Sequence, residues 1–180
     1  MTVHIYCNVF LAASFADKDL SQVKGLLNNP HIKVIEVDGR RRLMSAFNDD
    51  AGNPMNQQIT PYAVYQSEAN LVDFKPGMGM KVCVIDSGLD RSNTDFSWGN
   101  ITGDNDSGTG NWDEHGGPHG THVAGTIAAA DNNIGVVGMA PGVDLHIIKV
   151  FNEAGWGYSS DLAFAADKCT QAGANIISMS

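Results

Sequence analysis

The feature that most constrains the fold is the apolar run at residues 81–85. A strand that is apolar on both faces has to be covered on both sides, as the strands of parallel sheets are. Helical and strand-like patterns alternate after it, and we predict helices at 119–130 and 160–171 and strands at 145–151 and 174–179. This order predicts an α/β fold, in which helices pack on a parallel sheet.

Charge divides the chain into two parts. The 180 residues include 11 basic and 20 acidic side chains, a formal net charge of −9. Residues 1–56 carry six of each, so the other five basic and fourteen acidic side chains lie in residues 57–180. All of the excess negative charge therefore belongs to the second part.

The first part has its own pattern. It predicts a helix at 17–27 and a strand at 31–37, and the turn-forming residues of 45–54 predict an exposed linker. We therefore expect a small α+β segment at 1–42, followed by a linker and processing region at 43–56.

Composition excludes several classes of protein. Apolar residues make up 43% of the chain, which is enough for a folded core and too many for a disordered chain. No apolar run reaches the roughly 20 residues of a membrane span. The negative charge argues against nucleic acid or an anionic membrane as a partner. No lysine or arginine precedes Lys18, so these residues lack the positively charged start that is typical of a signal peptide.

The chain has three cysteines, too few for a disulfide scaffold. Cys7 lies in the first part, Cys83 in the apolar run and Cys169 in a predicted helix. Two interpretations of Cys83 and Cys169 remain open. They are buried thiols that behave as small hydrophobic side chains, or they form one structural disulfide of an exported protein.

The first motif with chemical meaning is Val-Cys-Val-Ile-Asp-Ser-Gly-Leu-Asp at 82–90. It places Asp86 at the carboxyl end of a buried strand, where open parallel sheets form their sites. A carboxylate there can orient a histidine and stabilise its protonated form. The alternative role for an aspartate in this position is to cap a turn or helix.

The second motif is His-Gly-Thr-His-Val-Ala-Gly-Thr at 119–126, directly after Gly-Gly-Pro. His119 would stand at the start of a helix, where it can act as a general base near neutral pH. We expect His122, one turn later, to be a buried, hydrogen-bonded structural histidine. A zinc site of His115, His119 and His122 is disfavoured, because the glycines and Pro118 prevent one continuous helix.

Together the two motifs resemble those of the subtilisin-like serine proteases, the subtilases, whose triad aspartate also precedes the histidine. The resemblance implies a subtilisin-like catalytic domain at 57–180 and the activity of a serine endopeptidase. Asp86 matches the triad aspartate and His119 the triad histidine. Residues 1–42 resemble the C-terminal part of a subtilase propeptide, which serves as folding chaperone and intramolecular inhibitor.

The same resemblance implies a structural calcium ion. Gln58 matches the N-terminal ligand of that site and Asp95 its carboxylate ligand. The loop 130–136 matches the remaining ligands, which are the side chain of Asn132 and the carbonyl groups of Ala130, Ile134 and Val136. Oxygen ligands from side chains and backbone suit calcium on physical grounds as well. The alternative is a polar surface loop without a metal.

The resemblance also implies a substrate-binding strand within 149–157. Gly155, Trp156 and Gly157 would offer backbone groups to an extended peptide, which is recognition by strand addition. Phe151 would form the wall of a subsite near His119. The alternative is a turn with an exposed tryptophan.

The family's nucleophile motif, Gly-Thr-Ser-Met-Ala, does not occur in these residues. Ser87, Ser178 and Ser180 do not match it, so we expect the chain by itself to be almost inactive. The resemblance then implies the first part of a secreted, monomeric zymogen that acts on proteins or peptides and is processed near residues 55–57. The alternatives are a non-catalytic inhibitor or decoy that keeps its propeptide, and a fragment with no function of its own.

Overall fold

The computed structural model describes residues 3–6, 12–15, 28–35, 40–42, 53–105 and 108–180. In these residues the α-helices are α1 (Tyr62–Gln66), α2 (His119–Ala128) and α3 (Ser159–Gln171). The strands are β1 (Val3–Tyr6), β2 (Ala12–Phe15), β3 (Arg40–Arg42), β4 (Lys81–Asp86), β5 (Ile101–Asn105), β6 (Asp144–Lys149), β7 (Trp156–Tyr158) and β8 (Ile176–Met179). No helix of the described residues has the length and apolar character needed to cross a bilayer.

A parallel sheet of four strands forms the centre of the molecule, in the order β5-β6-β4-β8. This confirms the predicted α/β fold. The runs predicted as strands form β4, β6 and β8, and the predicted helices form α2 and α3. The edge strand β5 was not predicted, because Ile101 is the only buried apolar residue in its sequence Ile-Thr-Gly-Asp-Asn.

The apolar run of β4 is buried on both faces, as the sequence predicts. Val82 and Val84 pack in the same cluster as Ala124 of α2. Cys83 and Ile85 point the other way, into a cluster that includes Ala165 of α3. Successive side chains of a strand alternate between its faces, so each helix covers one set.

A disulfide joins Cys83 of β4 to Cys169 of α3, with an S–S distance of 1.97 Å and a Cα–Cα distance of 5.6 Å. Both residues are fully buried. Of the two interpretations left open by the sequence, the structure therefore has the disulfide.

Strand pairing also organises the first part of the chain. β1 and β2 form an antiparallel pair, and β3 pairs antiparallel with β7 of the second part. The predicted helix at 17–27 lies outside the described residues. The predicted strand at 31–37 is wrong where the structure describes it: a turn joins Ile32 N–H to the Asn29 carbonyl at 3.0 Å, and residues 32–35 belong to no strand. Alternation alone does not make a strand without a partner to pair with.

Candidate active site

The two motifs meet at the carboxyl end of β4. The Asp86 side chain is 1% exposed, and its Oδ1 and Oδ2 lie 2.9 and 3.0 Å from Nδ1 of His119. His119 is the first residue of α2, where Pro118 breaks the preceding chain. Because a carboxylate accepts hydrogen bonds, Nδ1 carries a hydrogen, and in the neutral ring the lone pair is then on Nε2. The pair therefore presents a base whose tautomer is set by the buried carboxylate.

Ser87 holds the loops around this pair, a role that the sequence did not suggest. Its N–H donates to Oδ1 of Asp86 at 2.7 Å, and its hydroxyl accepts from the N–H of Gly120 at 2.9 Å. The same hydroxyl lies 3.3 Å from the Gly117 carbonyl. Ser87 is fully buried, so it connects β4 to the start of α2.

Gly120 lets α2 approach that closely. A Cβ at position 120 would collide with the carbonyl oxygen of Gly88 and would lie 3.1 Å from Oδ1 of Asp86. A larger residue at this position would therefore push α2, and the histidine at its start, away from the carboxylate.

Lys149 is a second residue that sequence reasoning missed. It lies opposite Asp86 in the parallel ladder and is 5% exposed. Its stem passes between Gly88 and Gly116, where a Cβ at either glycine would lie 3.0 Å from it. The signal in the sequence was the one charged side chain within the otherwise mostly apolar strand predicted at 145–151. Lysine is rarely buried, so this one fills space that glycines leave beside the aspartate–histidine pair.

The remaining histidines of this region do not join the site. His122 is exposed on α2, so its predicted role as a buried structural residue is wrong. It lies three residues after His119, and this position faces away from the sheet. His115 is exposed in the loop before Pro118 and lies outside the helix, as the position of the proline predicts.

The residues predicted to bind substrate lie around β7. The turn before it is closed by the Gly155 N–H, which donates to the Asn152 carbonyl at 2.8 Å. Phe151 is buried, and a Cβ at Gly157 would lie 3.4 Å from its ring. Trp156 is partly buried, and its ring packs edge-on against that of Tyr158.

β7 is already paired. Arg40 lies opposite Tyr158, Arg41 opposite Gly157 and Arg42 opposite Trp156 in an antiparallel ladder. The strand that was predicted to pair with a substrate peptide is therefore paired with β3, which belongs to the first part of the same chain.

The predicted calcium ligands Gln58, Asp95 and Asn132 lie in one hydrogen-bonded cluster. The carboxylate of Asp95 accepts from Nδ2 of Asn132 at 2.9 Å and from the N–H of Val136 at 2.7 Å. Oε1 of Gln58 accepts from the Asn132 N–H at 2.5 Å. The Ala130 N–H donates to the Asp95 carbonyl at 2.8 Å. Three segments far apart in sequence are thus joined by hydrogen bonds around the carboxylate of Asp95.

The loop closes tightly on this carboxylate. Oδ1 of Asn132 accepts from the Ile134 N–H at 2.7 Å. Gly135 has a positive φ of 69°, and a Cβ there would collide with the side chain of Asp95. The loop can therefore approach Asp95 only because residue 135 is a glycine.

The chemistry of the cluster fits a hard cation. Asp95 is 8% exposed, yet within the described ranges no nitrogen of a basic side chain lies within 4.0 Å of its carboxylate. A buried carboxylate without a cationic partner is costly. In the described residues no group of three His, Cys, Asp or Glu side chains could hold a metal. Besides the carboxylate of Asp95, any ion bound here would rely on amide and backbone oxygens, which are ligands that calcium accepts.

A sequence profile described as the Subtilase family matches residues 77–180, more than half of the chain. The chain belongs to the subtilase family. The resemblance carried by the two motifs is thereby confirmed, and the matched region includes both Asp86 and His119.

Individual subtilases match the chain over different lengths. Subtilisin DY from Bacillus licheniformis is 39% identical over 126 residues, which cover 68% of this chain and 45% of that protein. Subtilisin E from Bacillus subtilis (strain 168) is 32% identical over 173 residues, which cover 95% of this chain and 42% of that protein. The chain therefore spans less than half the length of these relatives.

A solved structure agrees with the fold. The psychrophilic subtilisin-like protease Apa1 from the Antarctic psychrotroph Pseudoalteromonas sp. AS-11 superposes with a TM-score of 0.63 and 49% sequence identity. The match covers 68% of this chain and 29% of that one. It supports the subtilisin-like arrangement of sheet and helices.

Proposed function

We propose that this subtilase is a serine endopeptidase that is made as an exported zymogen. The observation that carries the proposal is the hydrogen-bonded pair of Asp86 and His119 at the carboxyl end of the parallel sheet. The disulfide between Cys83 and Cys169 supports export, because disulfides persist in oxidising compartments. The net negative charge agrees with protein or peptide substrates and with the absence of a nucleic-acid or membrane partner. We propose a monomer.

In the proposed mechanism His119 is the general base. Asp86 holds the imidazole with Nε2 unprotonated, and Nε2 takes the proton of a serine hydroxyl as that oxygen attacks the peptide carbonyl. The imidazolium that forms is stabilised by the buried carboxylate, and it then protonates the leaving amine. Water hydrolyses the resulting acyl-enzyme with the same histidine as base.

The serine is proposed to belong to the part of the relatives' length that these 180 residues do not span. Reading the coding sequence beyond the codon for Ser180 tests this directly. An in-frame Gly-Thr-Ser-Met-Ala segment is the expected result. Without that serine, turnover should fall by something on the order of a millionfold, the magnitude known for subtilisin itself.

The catalytic role of His119 is tested in the product of that complete reading frame. His119→Ala should abolish casein hydrolysis. His122→Ala, an exposed histidine on the same helix, is the matched control and should retain it. Equal activity of the two variants would contradict the proposal.

Residues 1–42 are proposed to be an inhibitory propeptide segment. The pairing of β3 with β7 supports this, because a segment on the substrate strand excludes other peptides from it. The match to subtilisin E, which covers 95% of the chain, extends into this segment. We propose processing near residues 55–57. N-terminal sequencing of the mature form should start there, and a start well away from Gln57 would refute this site.

We also propose a structural calcium ion held by Gln58, Asp95, Asn132 and the backbone oxygens of the loop 130–136. The ion would neutralise the buried carboxylate of Asp95 and join the loop to the chain at Gln58. Calcium should raise the melting temperature of the chain, and Asp95→Asn should remove that rise. Asp73→Asn changes an exposed carboxylate paired with Lys75 and should leave the rise intact. A rise unaffected by Asp95→Asn would exclude this site.

A non-catalytic inhibitor is the second candidate, and the pairing of β3 with β7 is the observation that favours it. This function predicts that the 180-residue chain slows casein hydrolysis by an active subtilisin at equimolar concentration. Unchanged hydrolysis would remove it.

A further inference from the structure

β7 carries two aromatic rings on one face. Trp156 and Tyr158 alternate with Gly157 along the strand, and their ring centroids lie 5.5 Å apart with the planes at 82°. Residues two apart on a strand share a face. The other face, at Gly157, lies against Val150 and Phe151. In a peptide that pairs with β7, the two residues opposite Trp156 and Tyr158 therefore lie on the face with the aromatic rings. The residue between them lies on the other face, toward residues 150–151.

Cations are attracted to such rings. A guanidinium or ammonium group within about 6 Å of an aromatic centroid is favoured by the ring's electron distribution. Residues directly opposite each other in an antiparallel pair have Cβ atoms about 4.5–5.5 Å apart, which is within reach of a long side chain. The same chain uses this contact elsewhere, since Cζ of Arg91 lies 4.5 Å from the ring centroid of Trp98.

Negative charge flanks the strand as well. Glu153 is exposed in the turn before β7, and the Asp161 carboxylate at the start of α3 accepts from the Tyr158 N–H at 3.4 Å. Residues 57–180 carry all of the chain's net charge of −9. An approaching cationic peptide would be attracted to this acidic part of the chain.

The segment already paired with β7 has the matching sequence. Arg42 lies opposite Trp156, Arg40 opposite Tyr158 and Arg41 opposite Gly157. These three positions hold half of the six basic residues in the first 56. A basic triplet in the strand that pairs with β7 is complementary in charge to the acidic second part of the chain.

We propose that Trp156 and Tyr158 form a cation-selecting face on β7, which favours arginine or lysine at the two positions opposite them in any peptide strand that pairs with β7. This rests on the proposed function, in which substrates bind by adding to β7. It extends that function by naming a class of substrate, peptides that carry cationic residues two apart on the strand that pairs with β7.

The first test uses the full 180-residue chain and measures hydrogen exchange of the amides at 156–158, with those of β4 as internal reference. Arg40→Gln and Arg42→Gln should each speed exchange roughly two- to fivefold, the range for an exposed cation–π contact. Arg40→Lys and Arg42→Lys should each keep most of the protection against exchange. Arg41→Gln removes the same charge from the position opposite Gly157 and should have a smaller effect.

A double-mutant cycle separates ring contact from general charge. In a Trp156→Leu background, Arg42→Gln should no longer speed exchange beyond the change caused by Trp156→Leu itself. An undiminished effect of Arg42→Gln in that background, or an equal effect of Arg41→Gln in the native one, would overturn the proposal.

A second test adds the peptide in trans. The chain that carries Arg40→Gln, Arg41→Gln and Arg42→Gln together is titrated with a peptide of residues 38–44, and the chemical shifts of the amides at 156–158 are followed by NMR. The native peptide should bind at least fivefold more tightly than its analogue with glutamine at 40 and 42, and equal binding would overturn the proposal. Neither test needs catalysis. If the complete gene product hydrolyses casein but the arginine substitutions have no effect in these tests, this inference alone is refuted. If the arginine substitutions have the expected effect but the complete gene product does not hydrolyse casein, only the proposed protease function is refuted.

Discussion

Opening the disulfide between Cys83 and Cys169 should destabilise this chain strongly. The bond connects residues 86 positions apart. A cross-link of that span removes conformational entropy from the unfolded chain, and the chain-entropy relation gives about 4.6 kcal/mol at 25 °C. Domains of ordinary size have a free energy of unfolding of about 5–15 kcal/mol. The bond therefore supplies a large fraction of the total.

The location of the bond connects it to the site. Cys83 lies three residues before Asp86 on β4, and Cys169 lies on α3, which directly follows β7. The cross-link thus holds the strand that carries the aspartate against the helix that follows the proposed substrate strand. Loosening it should affect both parts of the site together.

Urea unfolding, followed by circular dichroism, measures the effect. Cys83→Ala and Cys169→Ala should each lower the free energy of unfolding by about 4–5 kcal/mol, and the double variant should lower it little further, because either change already opens the bond. Cys7→Ala is the control, since Cys7 takes no part in this bond. A loss below about 1 kcal/mol in the single variants would refute the entropic argument and leave packing as the source of stability.

Two further predictions concern single positions. Gly120→Ala should lower the free energy of unfolding by about 1–3 kcal/mol in urea, because the added Cβ would collide with the Gly88 carbonyl. Gly99→Ala is the control, since nothing lies within 4 Å of its Cβ, and it should lower that free energy by less than half as much. Equal losses would contradict the steric argument. Burial lowers the pKa of His146 below its ordinary value of 6.5, although the nearby charge of Asp104 opposes this shift. The folded state therefore favours the neutral ring. The contribution of this preference to the free energy of unfolding is complete above pH 6.5, and it is lost as the pH falls from 6.5 through the lower pKa of the folded state. His146→Gln should flatten this part of the curve of unfolding free energy against pH, and an unchanged slope would show that other groups cause it.

The sequence by itself predicted the elements that have strong local patterns. The run at 81–85 is apolar on both faces, so it had to lie inside a sheet with helices on both sides, and β4 does. Asp86 and His119 were assigned from motifs in which residue type, spacing and neighbouring glycines all point to one chemistry. The sequence indicated the strand end and the helix start that carry these two residues, whereas the 2.9 Å between their side chains is seen only in the structure.

Tertiary structure decided the features that depend on residues far apart in sequence. β5 has too few apolar residues to be recognised alone, and β7 with its partner β3 exists only because two segments more than 100 positions apart pair. The strand predicted at 31–37 is wrong where it is described, because residues 32–35 pair with none of the strands that the structure describes. His122 was judged from its place three residues after His119, while its exposure depends on which side of α2 the sheet covers.

The cysteines and Lys149 show the same limit. Whether Cys83 and Cys169 bond depends on a Cα–Cα distance of 5.6 Å across 86 residues, and spacing along the chain does not contain that distance. The burial of Lys149 depends on glycines from two separate loops that leave room for its stem. Local patterns show which face of an element is apolar, whereas distances between elements arise only when the whole core packs. For this reason the sequence identified the aspartate and the histidine. The structure alone revealed which residues hold them in place and which segment pairs with the proposed substrate strand.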